Sequence, residues 1–249
     1  MENGTMERKD NHELHTCEGE NRMKVRAVLF DLDGVITDTA EYHYMAWKQL
    51  ATELNIIIDR EFNEQLKGVS RMESLERILR HGGCEHNFTD ADKIGLATKK
   101  NKQYVELLKQ VKPQDVFPGI RELLLELQDN GVHAVVASAS KNAPQILQSL
   151  ELTSLFDYIV NPDEVAQGKP APDIFLRGAE AVGVPTDHCI GIEDAQAGIA
   201  AIKSAHMAAV GIGNENLLKA SGADVVLPTT EALTLSFLQS VGKAEAANQ

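Results

Sequence analysis

Asp31 and Asp33 stand two residues apart directly after the apolar run Ala27, Val28, Leu29 and Phe30, and Gly34 follows them. An unbroken apolar run of this kind fits a strand buried on both faces, as in a parallel sheet. Residues two apart share a face while the chain stays extended, and a glycine then lets the backbone turn sharply. Carboxylates just past the C-terminal end of a parallel strand sit where open α/β sheets place their active sites. There a carboxylate can ligate a hard cation such as Mg²⁺ or attack phosphorus as a nucleophile. Asp and Gly are also ordinary turn residues, so Asp-x-Asp-Gly by itself is read about equally well as an Asp-rich turn. The longer pattern Asp31-x-Asp33-Gly34-x4-Thr39 behind an apolar strand is far more specific.

Three later stretches carry polar groups of complementary types: Ser138 with its followers, Lys169, and the pair Glu193-Asp194. The elements around them alternate. Strands are expected over His133–Ala137, Tyr158–Val160, His188–Ile192, Ala208–Ile212 and Val225–Leu227. Helices are expected over Gly119–Asn130, after Asn142 as far as Leu150, and over Pro172–Val182, Ala195–Ala205 and Thr230–Val241. Gly131 suits the position just past a helix end. Strand and helix in alternation mean a mainly parallel sheet covered on both faces. The C-terminal ends of such strands lie side by side, so acid, hydroxyl, amine and acid converge from distant parts of the chain. Each group also has a plain structural role open to it: Ser138 as a polar helix start, Lys169 as a solvated loop cation, Glu193-Asp194 as a cap for the next helix.

Between Glu41 and Lys109 the period changes to spacings of three and four, with Leu75, Ile78 and Leu79 in one apolar stripe and Val105, Leu107 and Leu108 in another. Thr89 to Asp92 has the form of a helix start. No strand pattern occurs there, so a helical insertion is expected between the first strand and the rest of an α/β core. The expected division is residues 23–38 and 112–243 for the core, 39–111 for the inserted cap, and a polar, disordered extension over residues 1–22 that lacks the apolar segment of a signal peptide.

The chain has 249 residues, 43% of them hydrophobic, which is enough for a real core and excludes wholesale disorder. A formal net charge of −13 argues against general nucleic-acid or anionic-membrane binding. It is compatible with phosphate chemistry, because a metal and a few local cations control the field of a site. Cys17, Cys84 and Cys189 are few and scattered, with neither a disulfide framework nor a zinc spacing, which suits a reducing cytosol. No apolar run approaches the length of a membrane span.

The segment DLDGVITDT, Asp31 to Thr39, resembles the first motif of the haloacid-dehalogenase-type phosphotransferases, and the likeness runs from about Lys24 to about Val241. DTAEYHYMAWK, FNEQLKGVSR, ASASKN, GKPAPDIF and GIEDAQAG share in it. The resemblance implies a Rossmann-like parallel-sheet core with an inserted helical cap. The family core usually begins near Met23, so the first residues depart from the pattern. The resemblance also implies that Asp31 becomes an aspartyl phosphate and that Asp33 is the general acid/base, which requires a raised pKa. Asp31 and Asp194 would ligate Mg²⁺ with the backbone carbonyl of Asp33, and Glu193 would ligate or support. Ser138 and Lys169 would hold the phosphoryl oxygens in transfer.

Thr39 would hold Asp33 in place, or simply cap the first cap helix. In the cap, His43 and Trp47 lie four apart on one helical face; without the family they would be read as packing. Lys67, Gly68, Val69, Ser70 and Arg71 resemble a specificity loop with Arg71 as a phosphate fork, and would otherwise be a glycine-capped helix end and a solvated helix start. Ser140, Lys141 and Asn142, beside Ala139, would join Arg71 around a distal phosphate. Lys100 and Asn101 would reach a sugar, though a solvated face with Lys99 and Lys102 explains that run nearly as well. The implied activity is an isomerase interconverting β-D-glucose 1-phosphate and D-glucose 6-phosphate through a β-glucose 1,6-bisphosphate that also serves as activator. The rival is a Mg²⁺-dependent sugar-phosphate phosphatase. A cytoplasmic monomer acting on small sugar phosphates is expected.

Overall fold

The computed structural model describes residues 25–246, with the side chains of residues 242–246 left out. The expected extension over residues 1–22 and Cys17 lie outside the described residues.

Strand β1 (Ala27–Phe30) is buried throughout. The chain then enters a helical block: α1 (Ala40–Glu53), the short α2 (Arg60–Glu64), α3 (Arg71–His81) and α4 (Asp90–Leu108). Local caps set its boundaries. Asp59, Ser70 and Thr89 each accept a hydrogen bond from a backbone N–H of the following first turn, and Thr89 with Asp92 forms a reciprocal capping box. Leu75, Ile78 and Leu79 of α3 pack with Trp47, Leu50 and Ala97 into a separate apolar cluster. The stripe anticipated from spacing is thus the centre of the block.

After α5 (Ile120–Asp129) come β2 (His133–Val136), α6 (Ala143–Ser149), β3 (Tyr158–Ile159), α7 (Asp173–Ala181) and β4 (Cys189–Glu193). Then follow α8 (Gln196–Ser204), β5 (Ala208–Ile212), α9 (Glu215–Ala220), β6 (Val225–Leu227) and α10 (Leu235–Ala246). All strand pairings are parallel, in the order β3-β2-β1-β4-β5-β6. Alternation along β1 divides the core. Val28 and Phe30 face the cluster with Leu123, Ile146 and Leu238, whereas Ala27 and Leu29 face Phe175, Ile199 and Ile202. Burial on both sides explains why β1 reads as continuous apolar sequence.

The strand order reverses beside β1, between β2 and β4, and this is the switch point at which open α/β sheets form a crevice. The two connections between sheet and helical block also run together there. Thr37 bridges Val116, Phe117 N–H donates to Ile36 O at 2.9 Å, and the Thr37 hydroxyl donates to Asp115 O at 2.8 Å.

Two elements differ from expectation. The helix expected over Thr230–Val241 is divided into a 3₁₀ turn, Thr230–Ala232, and α10. Tertiary contacts cause the break. The Thr230 hydroxyl donates to Pro118 O at 2.7 Å, and the Leu235 N–H donates to Glu126 Oε2 at 2.9 Å, so a carboxylate from α5 supplies the start of α10. Helix α9 was not anticipated. It is short and starts from Asn214, whose side chain accepts from Leu217 N–H at 3.2 Å.

Candidate active site

The end of β1 fixes Asp31. Its N–H donates to Ile192 O at 2.9 Å, which continues the pairing with β4 by one residue and leaves the carboxyl buried at the mouth of the crevice. Gly34 then takes φ +83°, and its N–H donates to Thr37 O at 2.8 Å, closing a tight turn that carries Asp33 around under the helical block. A side chain at Gly34 would meet the Asp194 carboxylate, so the glycine also gives that acid its place.

Lys169 is buried and joins two acids. Its Nζ donates to Asp31 Oδ1 at 2.6 Å and to Glu193 Oε1 at 2.6 Å. Burial by itself would lower its pKa, but the two carboxylates outweigh that and raise it, so the amine stays charged. The second oxygen of Glu193 accepts from Ala195 N–H at 2.9 Å. Burial pushes the Glu193 carboxyl up to about 6 against the pull of Lys169. Ser138 is buried at the end of β2, and its hydroxyl accepts from Ser140 N–H at 3.2 Å.

Asp31, Glu193 and Asp194 each offer a carboxylate oxygen within 4.8 Å of the others. Burial, and then the charges of Glu193 and Asp31, holds the Asp194 carboxyl well above the usual carboxylate range. Crowded, desolvated oxygen donors of one sign are the chemistry a hard divalent cation relieves, so this donor set fits Mg²⁺.

Asp33 also lines the cavity. Burial, followed by the Asp31 charge, pushes its carboxyl up to about 7, against the hydrogen bond from the Thr39 hydroxyl. Thr39 is itself fully buried and hydrogen-bonded to the Tyr104 hydroxyl at 2.8 Å. His43 Nε2 lies 3.8 Å from Asp33 Oδ2, and His43 Nδ1 lies 2.8 Å from Lys100 Nζ. Burial, then the charges of Lys100 and Arg71, lowers the His43 pKa well below its ordinary value. A neutral imidazole accepting from Lys100 at Nδ1 leaves its Nε2 hydrogen toward Asp33. Lys100 is 1% exposed, stacked 4.6 Å from the Trp47 and Tyr104 rings, and burial then Arg71 brings it down to about 7. The solvated-face explanation for Lys100 therefore fails, while Lys99 does point out, to an ion pair with Glu53.

These groups meet around a cavity of about 290 Å³ between sheet and helical block. Asp31, Asp33, Ser138 and Asp194 line it from the core side of the chain. Ala139, Ser140, Lys141 and Asn142 line it too, and Arg71, His43, Trp47 and Lys100 line it from the helical block. Lys67, Gly68, Val69 and Ser70 also line it. Gly68, at φ +70°, passes so close to Ala195 that a Cβ there would approach the Ala195 methyl to 3.0 Å, which brings the loop before α3 onto the loop after β4. Thr39, Lys169 and Glu193 stand behind the lining and support it. Asn101 meets Asn142 rather than standing in the lining. Three participants were missed from sequence. Tyr104 follows Lys100 by four residues, a spacing that would have marked it. Ser74 follows Ser70 in the same way. Asp163, paired with Lys141, gives no local signal.

A parallel sheet with this strand order, acids after β1 and β4, and a helical block closing over them define the class. Residues 25–206 match the family model described as haloacid dehalogenase-like hydrolase, and the chain belongs to that family. Its similarity extends to particular members. It is 50% identical over 214 residues to the beta-phosphoglucomutase of Bacillus subtilis (strain 168), covering 86% of this chain and 94% of that protein. The crystal structure of beta-phosphoglucomutase from Clostridium difficile superposes with a TM-score of 0.87 at 44% identity, covering 90% of this chain and 99% of that one. The beta-phosphoglucomutase of Mycobacterium bovis is 33% identical over 237 residues, covering 82% of this chain and 89% of that protein. No helix among the described residues is long and apolar enough to cross a membrane.

Proposed function

We propose that the chain interconverts β-D-glucose 1-phosphate and D-glucose 6-phosphate. What supports this most is one cavity lined both by Asp31 with Ser138 and by Arg71 with Ser140, Lys141 and Asn142, with Lys169 paired to Asp31 behind the lining. A substrate with a phosphate at each end needs both. The similarity to beta-phosphoglucomutases over most of the chain supports the same assignment.

Asp31, phosphorylated at the outset by β-glucose 1,6-bisphosphate, presents its phosphoryl group to the 6-hydroxyl of the bound 1-phosphate. Asp33 takes the hydroxyl proton, the oxygen bonds to phosphorus, and Asp31 departs as a carboxylate. The bisphosphate turns round. Asp31 attacks the phosphorus on carbon 1, and Asp33 returns its proton to the sugar oxygen that leaves, giving glucose 6-phosphate. A raised Asp33 pKa suits a group that must do both. Lys169 neutralises Asp31 as it approaches phosphorus, and Ser138 donates to the equatorial oxygens. Asp31, Asp194 and the Asp33 carbonyl would hold Mg²⁺, with Glu193 bracing Lys169; the cation supplies charge neutralisation at the phosphoryl oxygens. His43 and Lys100, which line the cavity from the helical block, orient the sugar. Residues 23–38 and 112–243 act as the core of the enzyme and 39–111 as its cap, in a cytosolic monomer.

The test is phosphorus NMR of β-glucose 1-phosphate with Mg²⁺ and a trace of bisphosphate. Glucose 6-phosphate is the expected product. Inorganic phosphate in its place would make the chain a phosphatase.

A further inference from the structure

The cavity lining contains a further acid beside its cations. Asp163 lines the cavity beside Arg71, Lys141 and Asn142, and its carboxylate pairs with Lys141 Nζ. The turn that carries it, Pro162–Glu164, is braced rather than free. Asn161 Oδ1 accepts from Asp163 N–H at 3.1 Å, and Glu164 Oε2 accepts from the Tyr158 hydroxyl and from Arg177 Nε, each at 3.0 Å. The turn is thus fixed in place, while the Asp163 and Lys141 side chains themselves are 61% and 51% exposed. Arg71 has no carboxylate within ion-pair distance among the described residues, yet it is close enough to feel Asp163. Burial lowers the Arg71 pKa, and the Asp163 charge opposes that.

We propose that Asp163 is an internal counter-anion of the distal phosphate site, paired with Lys141 while the site is empty and displaced from it by the non-reacting phosphate of the substrate. The proposal rests on the mutase reading for its purpose. A bisphosphate that must turn round has to release the distal cations once in every cycle. An Arg and a Lys with no competing carboxylate would hold a phosphate dianion too firmly for that. Asp163 lowers the affinity of the site at both ends of the exchange, and so trades ground-state binding for turnover.

The test is calorimetric titration of the full-length Mg²⁺ enzyme at fixed ionic strength, with glucose 6-phosphate and separately with inorganic phosphate as probes. Asp163→Asn and Asp163→Ala should each tighten glucose 6-phosphate by about threefold to tenfold, the scale of removing one partly exposed charge facing the ligand. Asp163→Glu, which keeps the charge, should bind close to the wild-type level. In steady state kcat and KM should fall together in the Asn variant. A gain of affinity is a readout that loss of structure does not produce. Unchanged or weaker binding in both the Asn and the Ala variant overturns the proposal. A wild-type enzyme that makes no glucose 6-phosphate removes the mutase reading instead; tightening of inorganic phosphate in Asp163→Asn would then still establish the counter-anion.

Discussion

Asn142 Nδ2 donates a hydrogen bond to Asn101 Oδ1 across 3.0 Å, which ties the start of α6 to the inner face of α4. The bond joins the α/β core to the helical block at Asn142, which itself lines the cavity, so it bears on how the two are held together rather than on either alone. Asn101→Ala should lower kcat/KM by about twofold to tenfold, since one net hydrogen bond is worth roughly 0.5–1.5 kcal/mol. Amide exchange in α4 should rise in the same variant. Unchanged kinetics and exchange would mean that the two side chains meet without holding the units together.

Asp31→Asn should abolish turnover and covalent labelling by a phosphoryl donor while the fold persists, because an amide cannot replace the nucleophilic carboxylate. Asp33→Asn should leave labelling of Asp31 possible and slow turnover by about a hundredfold to ten-thousandfold, the usual worth of a positioned proton carrier. Labelling that survives in Asp31→Asn, read by intact-protein mass spectrometry, would move the nucleophile elsewhere.

The Asp33 carboxyl, raised from 3.8 to about 7 by burial and then by Asp31, makes stability depend on pH in a defined direction. Between those two values the folded protein holds a proton that the unfolded chain has lost, so stability falls as pH rises through the window. Asp33→Asn cannot titrate. The melting temperature of the metal-free wild type, minus that of the variant, should therefore decline as pH rises from about 4 to about 7 and level off on either side. A rising difference would contradict the environment assigned to Asp33.

The acids after β1 were legible in the sequence because burial on both faces turns that strand into an apolar run, against which two aspartates and a glycine stand out. Lys169 and Glu193-Asp194 followed from the strand-helix alternation, since parallel strands gather their ends. Lys100 was ambiguous among Lys99 and Lys102, because a cluster of lysines does not reveal which one a helix turns inward; its partners His43 and Trp47 come from α1, far along the chain. The start of α10 was illegible for a related reason, as the carboxylate that begins it belongs to α5. Asp163 acts through Lys141, a partner that no local pattern names, whereas Tyr104 stands one helical turn after Lys100 and was open to the same spacing argument.

A mutase of this kind needs one cavity to hold two phosphates, one at Asp31 and the other at Arg71. Arg71 lies at the start of α3 in the helical block and lines the same cavity as Asp31. The most direct measurement takes Arg71→Ala and follows, in one preparation, phosphorylation of Asp31 by acetyl phosphate and conversion of β-glucose 1-phosphate. Labelling should persist while conversion falls strongly, because binding energy at the remote phosphate closes the cap and orients the sugar. Arg71→Lys should restore part of the conversion, keeping the charge without the planar fork. Equal loss of labelling and conversion would place Arg71 at the reacting phosphate or in folding, and no loss of either would leave the cavity with a single phosphate end.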